Sequence, residues 1–325
     1  MQQIIMDAPV SRENFEEGAY LNANPDVKAA VLAGACASGR VHFEQIGWRE
    51  GRRIRPRSNV TEMRRSKMER VRPFLRQDMP FTVDIESGGK LNYLTKALRE
   101  ETRIIDTDNI SGYPYDEYIL SLLSAFNGGI ILDCGAGRRP VYYNNIINFE
   151  IVDYDTTDVL GVGEHLPFCD NTFDAVLSLA VLEHVRDPMQ CANEIARVLK
   201  PGGKLLCQMP FLQPLHGYPH HYFNATQQGL RRLFEDKLQI ESESVPYGLH
   251  PIFALQWIIQ SWANGLSGDT KQQFLDARMS DFMVNPVNLM DRQFATRLPH
   301  AQQVELACGN MIEARKPAGT SSSIC

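Results

Sequence analysis

Asp133, Gly135, Ala136 and Gly137 follow directly on the apolar run Ile130-Ile131-Leu132, and Glu150 closes a second apolar stretch downstream. An apolar strand running into Asp-x-Gly-x-Gly predicts a buried strand that turns sharply towards a helix. Glycine suits such a turn because a Cβ would forbid the backbone conformation or obstruct a ligand approaching the main chain. Glu150 stands 17 residues after Asp133, close to where a nucleoside-binding α/β fold places the acid for its ribose hydroxyls. Arg138, Arg139 and Pro140 follow Gly137, so the third glycine of the dinucleotide fingerprint is missing. The spacing points to a nucleoside cofactor and away from a dinucleotide.

A second reactive set lies in residues 211–224, where His216, His220 and His221 gather with four aromatic residues. The stretch follows the strand end Met209-Pro210, and the carboxyl edge of a parallel sheet is where open α/β folds bind ligands. Histidine titrates near neutral pH, so each of the three is a candidate to remove an acceptor's proton or to orient the acceptor. The alternative is that they brace the loop through backbone hydrogen bonds. Tyr222 and Asn224 are further candidates to hydrogen-bond an acceptor.

The elements that must position these groups follow in order. Thr157 to Leu160 reads as a strand ending at Gly161-Val162-Gly163-Glu164, and Ala175 to Ala180 as the next. Leu182-Glu183-His184-Val185 leads to a helix from Met189 to Lys200, with Cys191, Ile195, Val198 and Leu199 on one buried face. Pro201-Gly202-Gly203 stops that helix, and Lys204 to Phe211 is the following strand. Thr226 caps a helix from Gln227 to Asp236. Upstream, Val60 to Gln77 reads as a charged helix, 85–89 as loop, Leu91 to Glu101 as helix, and Tyr115 to Phe126 as the helix before the glycine strand.

This series, through Leu-Asp-x-Gly-x-Gly, Leu-Pro-Phe-x-Asp-x-x-Phe-Asp, Leu-Glu-His-Val and Arg-Val-Leu-Lys-Pro-Gly-Gly, resembles the class I S-adenosylmethionine-dependent methyltransferases over roughly 120–249. The resemblance implies an α/β fold: a doubly wound, mostly parallel, seven-stranded Rossmann-like sheet. Leu238 to Val245 would be its sixth strand and Val304 to Arg315 an antiparallel seventh. It also implies that Asp133, Gly135, Ala136 and Gly137 line the methionine end of S-adenosylmethionine, and that Glu150 holds the ribose. The backbone around Gly163 and Glu164 meets adenine, and Leu179 and Ala180 lie near the sulfonium. Many relatives carry an acid where Val162 stands, which leaves adenine to the backbone or to Glu164. Glu183 and His184 either bind cofactor or brace a loop, and bracing is the simpler expectation. Tyr113 and Tyr115 are placed to form part of a lid, or to be ordinary core aromatics.

Length and composition set bounds on the rest. The chain has 325 residues, 43% of them hydrophobic, enough for one large core and a smaller module. No window of about 18 apolar residues predicts a membrane span, and residues 1–9 lack a basic-then-apolar leader. The seven cysteines show no paired metal-ligand spacing, so reduced thiols, no metal and a cytoplasmic location are expected. Between Arg40 and Arg76 stand twelve Lys or Arg against four Glu, in a chain of net charge −6. That segment either meets an anionic partner or docks on the acidic remainder of the chain.

The expected organisation is a small helical module at 10–57, a helical linker and cap at 58–112, and the methyltransferase domain at 113–316. A helical insertion lies near 251–297, and 317–325 is a flexible tail. The module, with two short helices, resembles one that recurs beside bacterial surface-glycan enzymes. Ile252 to Ile259 is apolar nearly all round, which predicts burial against the domain, a partner subunit of a homo-oligomer, or a lipid-like substrate. The functional expectation is O-methylation of a small-molecule sugar or glycan precursor. Methylation of RNA or protein through the basic segment, and a non-catalytic cofactor-binding scaffold, are the alternatives.

Overall fold

A computed structural model describes residues 2–55, 60–105, 112–217, 220–311 and 313. The expected linker at 56–59 and tail at 317–325 lie outside the described residues. Two compact units result, one from 1–211 with 217–243, the other from 212–216 with 244–325.

Seven strands form the central sheet of the first unit. They are β1 (Thr82–Asp84), β2 (Lys90–Asn92), β3 (Ile131–Cys134), β4 (Ile146–Glu150), β5 (Val159–Leu160), β6 (Phe173–Leu179) and β7 (Leu199–Gln208). Across the sheet they run β7-β6-β3-β4-β5-β2-β1, parallel except for the β1–β2 hairpin. The helices used below are α1 (Glu17–Ala23), α2 (Pro25–Leu32), α3 (Val60–Val71), α4 (Lys96–Thr102), α5 (Glu117–Ala125), α6 (Pro188–Val198), α7 (Gln227–Phe234) and α8 (Pro251–Gly265).

Both faces of the sheet are covered, which is why its inner strands read as continuous apolar runs. Ile131, Ile146, Ala175, Leu177 and Leu179 pack with Ile119 and Leu123 of α5. Leu132, Ile147, Phe149 and Val176 face the other way, onto Val71 of α3, Ile195 of α6 and Phe234 of α7. The helices begin where side chains cap them. Asp116 accepts from Ile119 N at 2.8 Å, Asp187 from Gln190 N at 2.9 Å, and Thr226 from Gly229 N at 3.0 Å. The N-terminal module keeps a small core of its own, built on Ala19, Tyr20, Val27, Phe43 and Ile54.

Four expectations are corrected. No helix follows the glycine turn. Pro140 disfavours helical backbone at Arg139, and Val141–Tyr143 instead pairs antiparallel with Gln3–Ile5. The sixth and seventh strands are absent among the described residues. Leu238 and Ile240 pack on the core without a ladder, and His300–Glu305 is helical. The sheet reaches seven strands through β1 and β2 instead, which join beyond β5 at the edge opposite β7, so the loop at 85–89 is a hairpin turn and the helix expected from Leu91 is a strand followed by α4. In the second unit, Ile252, Phe253, Leu255 and Ile259 of α8 are exposed on the chain itself, which corrects the expectation of burial within the chain and leaves cover by a partner subunit or a lipid-like substrate. No helix among the described residues is long and apolar enough to cross a membrane.

The basic segment turns partly inward. Asp158, fully buried, accepts from Lys67 Nζ at 2.5 Å, Arg64 Nε at 3.2 Å, Asn148 N at 2.9 Å and the Tyr142 hydroxyl. Arg64 and Lys67 are themselves only 3% and 2% exposed, and burial lowers the pKa of Lys67 against the pull of Asp158. Replacing Asp158 with Asn leaves two buried cations without their carboxylate. We expect a loss of about 3–5 kcal/mol in urea unfolding; a loss below about 1 kcal/mol would remove Asp158 as the anchor of α3.

Candidate active site

The chain lays down β3, β4 and β5 towards one edge, then crosses back to place β6 and β7 on the other side of β3. Strand order therefore reverses between β3 and β6, where open α/β sheets hold their ligands. Asp133, Gly135, Ala136 and Gly137 come from the end of β3, Leu179 and Ala180 from β6, and Glu150 from β4. Gly163 and Glu164 follow β5. The residues expected to hold the cofactor thus share one edge.

Gly135 and Gly137 have φ of 83° and 62°, values that side chains resist. A Cβ on Gly135 would also stand 2.5 Å from Val181 Cγ2, so the chain itself fills the space. Gly135 N and Ala136 N donate to Phe149 O at 2.9 and 3.1 Å. Gly137 N donates to Glu150 Oε2 at 2.7 Å, and Ile151 N to its Oε1 at 2.8 Å. Burial raises the Glu150 pKa, and these amides oppose the rise. Each oxygen of an ionised carboxylate has room for a second donor, so a ribose diol fits there. Gly163 gives space to Cys191 Sγ, which a Cβ would meet at 2.6 Å. Glu164 Oε1 accepts from Arg186 N at 3.0 Å and Asp187 N at 3.4 Å, which ties it to that loop. Ala180 adopts φ 56°, a left-handed conformation costing a non-glycine residue about 1–2 kcal/mol. It turns the chain out of β6.

Arg139 was legible only as an interruption of the glycine pattern. It is 1% exposed, and its Nε donates to Asp133 Oδ2 at 2.8 Å. Its guanidinium lies 4.7 and 4.4 Å from the rings of Tyr113 and Tyr115. The Tyr115 hydroxyl donates to the same Asp133 oxygen at 2.5 Å, and that of Tyr113 to Leu179 O at 2.7 Å. Both tyrosines therefore stand over the cofactor edge. Asp133 Oδ1 is buried with no hydrogen-bond partner in the protein, an acceptor a ligand's donor can satisfy.

The loop histidines divide between the units. His220 Nε2 bonds Arg103 O at 2.9 Å, and His221 Nε2 bonds Asn224 Oδ1 at 2.8 Å and Phe223 O at 3.1 Å. Within the second unit, His216 Nδ1 bonds Pro214 O at 2.8 Å, and its ring is 5.3 Å from that of Trp257. Glu183 is fully buried, and neither carboxyl oxygen has a hydrogen-bond partner. Burial pushes its pKa up to about 8.

Glu150→Ala removes the carboxylate assigned to the ribose. S-adenosylhomocysteine should bind about 10–100-fold more weakly by calorimetry, as loss of hydrogen bonds to a charged group implies; unchanged affinity would displace the assignment. Glu183 gives a pH signature. Between about pH 4.5 and 8 the unfolded chain has released a proton that the folded chain retains. Wild-type stability therefore falls as pH rises, by at most about 1.4 kcal/mol per unit. Glu183→Gln should lack this component, so urea curves for the two proteins should diverge from pH 5 to pH 8. Parallel curves would show the carboxyl to be solvated.

Residues 143–207 match the family model for a methyltransferase domain. A demethylmenaquinone methyltransferase of Lactiplantibacillus plantarum is 38% identical over 85 residues, covering 24% of this chain and 35% of the relative. A ubiquinone/menaquinone biosynthesis C-methyltransferase of Haemophilus ducreyi is 48% identical over 86 residues, covering 26% and 32%. An uncharacterized protein of Methanocaldococcus jannaschii is 38% identical over 89 residues, covering 24% and 39%. The chain spans less than two-fifths of each of these relatives. Together with the fold, the match shows a class I methyltransferase domain, whose cofactor is S-adenosylmethionine.

Proposed function

We propose that this chain methylates a hydroxyl group of a sugar or glycan precursor. When bound, S-adenosylmethionine supplies an electrophilic methyl carbon on a sulfonium with a neutral leaving group. Asp133, Gly135, Ala136 and Gly137 hold its methionine end, Glu150 its ribose, and Gly163 with Glu164 flank its adenine. Leu179 and Ala180 border the sulfonium. The protein's task is alignment of the acceptor oxygen with the methyl carbon, and exclusion of water.

The observation that carries the acceptor class is an open cleft of about 650 Å³ lined by Lys96, Arg99, Glu100, Arg103, Ile104, Ile105 and His220. Three cations at its wall suit an acceptor that carries phosphate, as an activated sugar does. His220 joins the cleft to the cofactor edge, because its carbonyl bonds His184 Nδ1 at 2.7 Å. The N-terminal module, which resembles ones found beside glycan enzymes, agrees with this reading. Buried free thiols at Cys134 and Cys191 agree with a reducing, cytoplasmic setting.

A second reading is carbon methylation of a quinone-like ring, as the names of two relatives indicate for those proteins. The RNA or protein alternative loses two of its cations, Arg64 and Lys67, to Asp158. The deciding experiment is a labelled-methyl screen over nucleotide sugars, lipid-linked glycans, RNA and a demethylated quinone. Label in the sugar compounds is expected. Label confined to the quinone selects carbon methylation, and label confined to RNA with steep salt dependence selects the basic segment. Cofactor binding without label in any acceptor selects a scaffold.

A further inference from the structure

We infer that His184 is the group that takes the acceptor's proton, and that Glu183 acts through it by orienting the ring and balancing its charge. The inference rests on the methyltransferase reading and deepens it, since it requires a proton on the attacking atom.

Bracing of the loop does not account for the Glu183 side chain. The loop is held by the Glu183 backbone instead, whose carbonyl accepts from Tyr222 N at 2.7 Å and Phe223 N at 3.3 Å. The carboxyl group has no hydrogen-bond partner and no solvent, a costly state that the fold does not need. It sits just beyond the left-handed Ala180, at the point where strand order reverses. His184 Nε2 lies 3.8 Å from Glu183 Oε1. The partner of Nδ1 is the His220 carbonyl, which can only accept, so Nδ1 carries the ring hydrogen. Nε2 is then the basic nitrogen, turned towards the carboxyl. Gly217, with φ 82°, leaves room for the His184 ring, which a Cβ there would strike. The His184 side chain is 27% exposed and Glu183 is 0% exposed, which assigns contact with the acceptor to the histidine.

The acceptor oxygen bonds the methyl carbon, the carbon–sulfur electron pair returns to sulfur, and the hydroxyl proton passes to His184 Nε2. The imidazolium then faces the Glu183 carboxylate. The pair can accept that proton only after losing the one it shares near neutral pH, so turnover should rise with pH and level off. Within the first unit, the other titratable groups shown to face the pair are Tyr113 and Cys207, which feel the Glu183 charge, and His221, whose ring is 5.6 Å from that of His184. Glu183→Gln removes the carboxylate that favours the imidazolium. Its limb should move to lower pH and its plateau should fall.

The test uses the full chain as wild type, His184→Gln and Glu183→Gln. Calorimetry with S-adenosylhomocysteine, turnover across pH with the acceptor found in the screen, and ¹⁵N-histidine NMR titration are measured. His184→Gln should lose about 100-fold or more in kcat with unchanged affinity for S-adenosylhomocysteine. Glu183→Gln should shift the turnover limb and the His184 titration by about one pH unit or more. A kcat for His184→Gln within about threefold of wild type, under 1 kcal/mol of barrier, would overturn the proposal. So would loss of cofactor affinity alone, or a His184 titration identical in wild type and Glu183→Gln. If no hydroxyl compound is labelled, the acceptor assignment falls, while the titration still decides whether the pair exists.

Discussion

The contact between Arg139 and Asp133 carries the cofactor edge. A parallel strand pair is ordinarily joined by a crossover helix, whose packing fixes the turn that follows the first strand. Here β3 and β4 are joined without one, and the turn needs another anchor. Arg139 folds back onto the strand it has just left, its charge buried against Asp133 and its flat faces covered by Tyr113 and Tyr115. Glu150 closes the other side through the Gly137 amide. Two carboxylates and one guanidinium do what a helix does elsewhere.

Asp158 performs a comparable service at the opposite side of β4. It draws in two cations from α3 and the hydroxyl of Tyr142, so the helix and the short Val141–Tyr143 strand are fixed by one carboxylate. The basic character of residues 40–76 is therefore in part an internal matter. Elsewhere in the segment, Arg52 pairs with Asp26 and Glu50, and Arg53 with Asp7. An excess of charge read along a sequence does not say which way the side chains point.

The parts of the fold legible in the sequence were those where two signals agreed. Strands β3, β4 and β6 are apolar runs, and α6 and α7 have both a periodic face and a capping side chain. Where only one signal existed it misled. The alternation of Leu238 and Ile240 is satisfied by packing rather than pairing, and three-residue β2 is too short to outweigh the helical pattern after it. The glycine turn was read correctly as a turn, but Pro140 and the β-favouring Val141-Tyr142-Tyr143 overrule the helix expected there. In the site, the glycines and Glu150 were visible because their spacing follows the pattern of nucleoside-binding α/β folds. Arg139 and Glu183 were not, since a single charged residue gives no sign of being buried until the chain is folded. The histidine loop drew attention by composition, yet its rings bond mainly backbone carbonyls, and the basic nitrogen that faces a carboxyl belongs to His184.

The pairing of Gln3–Ile5 with Val141–Tyr143 bears on how the molecule assembles. Ribosomes deliver the first partner long before the second, so the early segment must wait, unpaired, while well over a hundred residues emerge. Contacts of such wide sequence separation form slowly, because the loop they close has to lose its freedom first. The strand that follows the glycine turn therefore gains this partner only by closing a loop of most of the preceding chain.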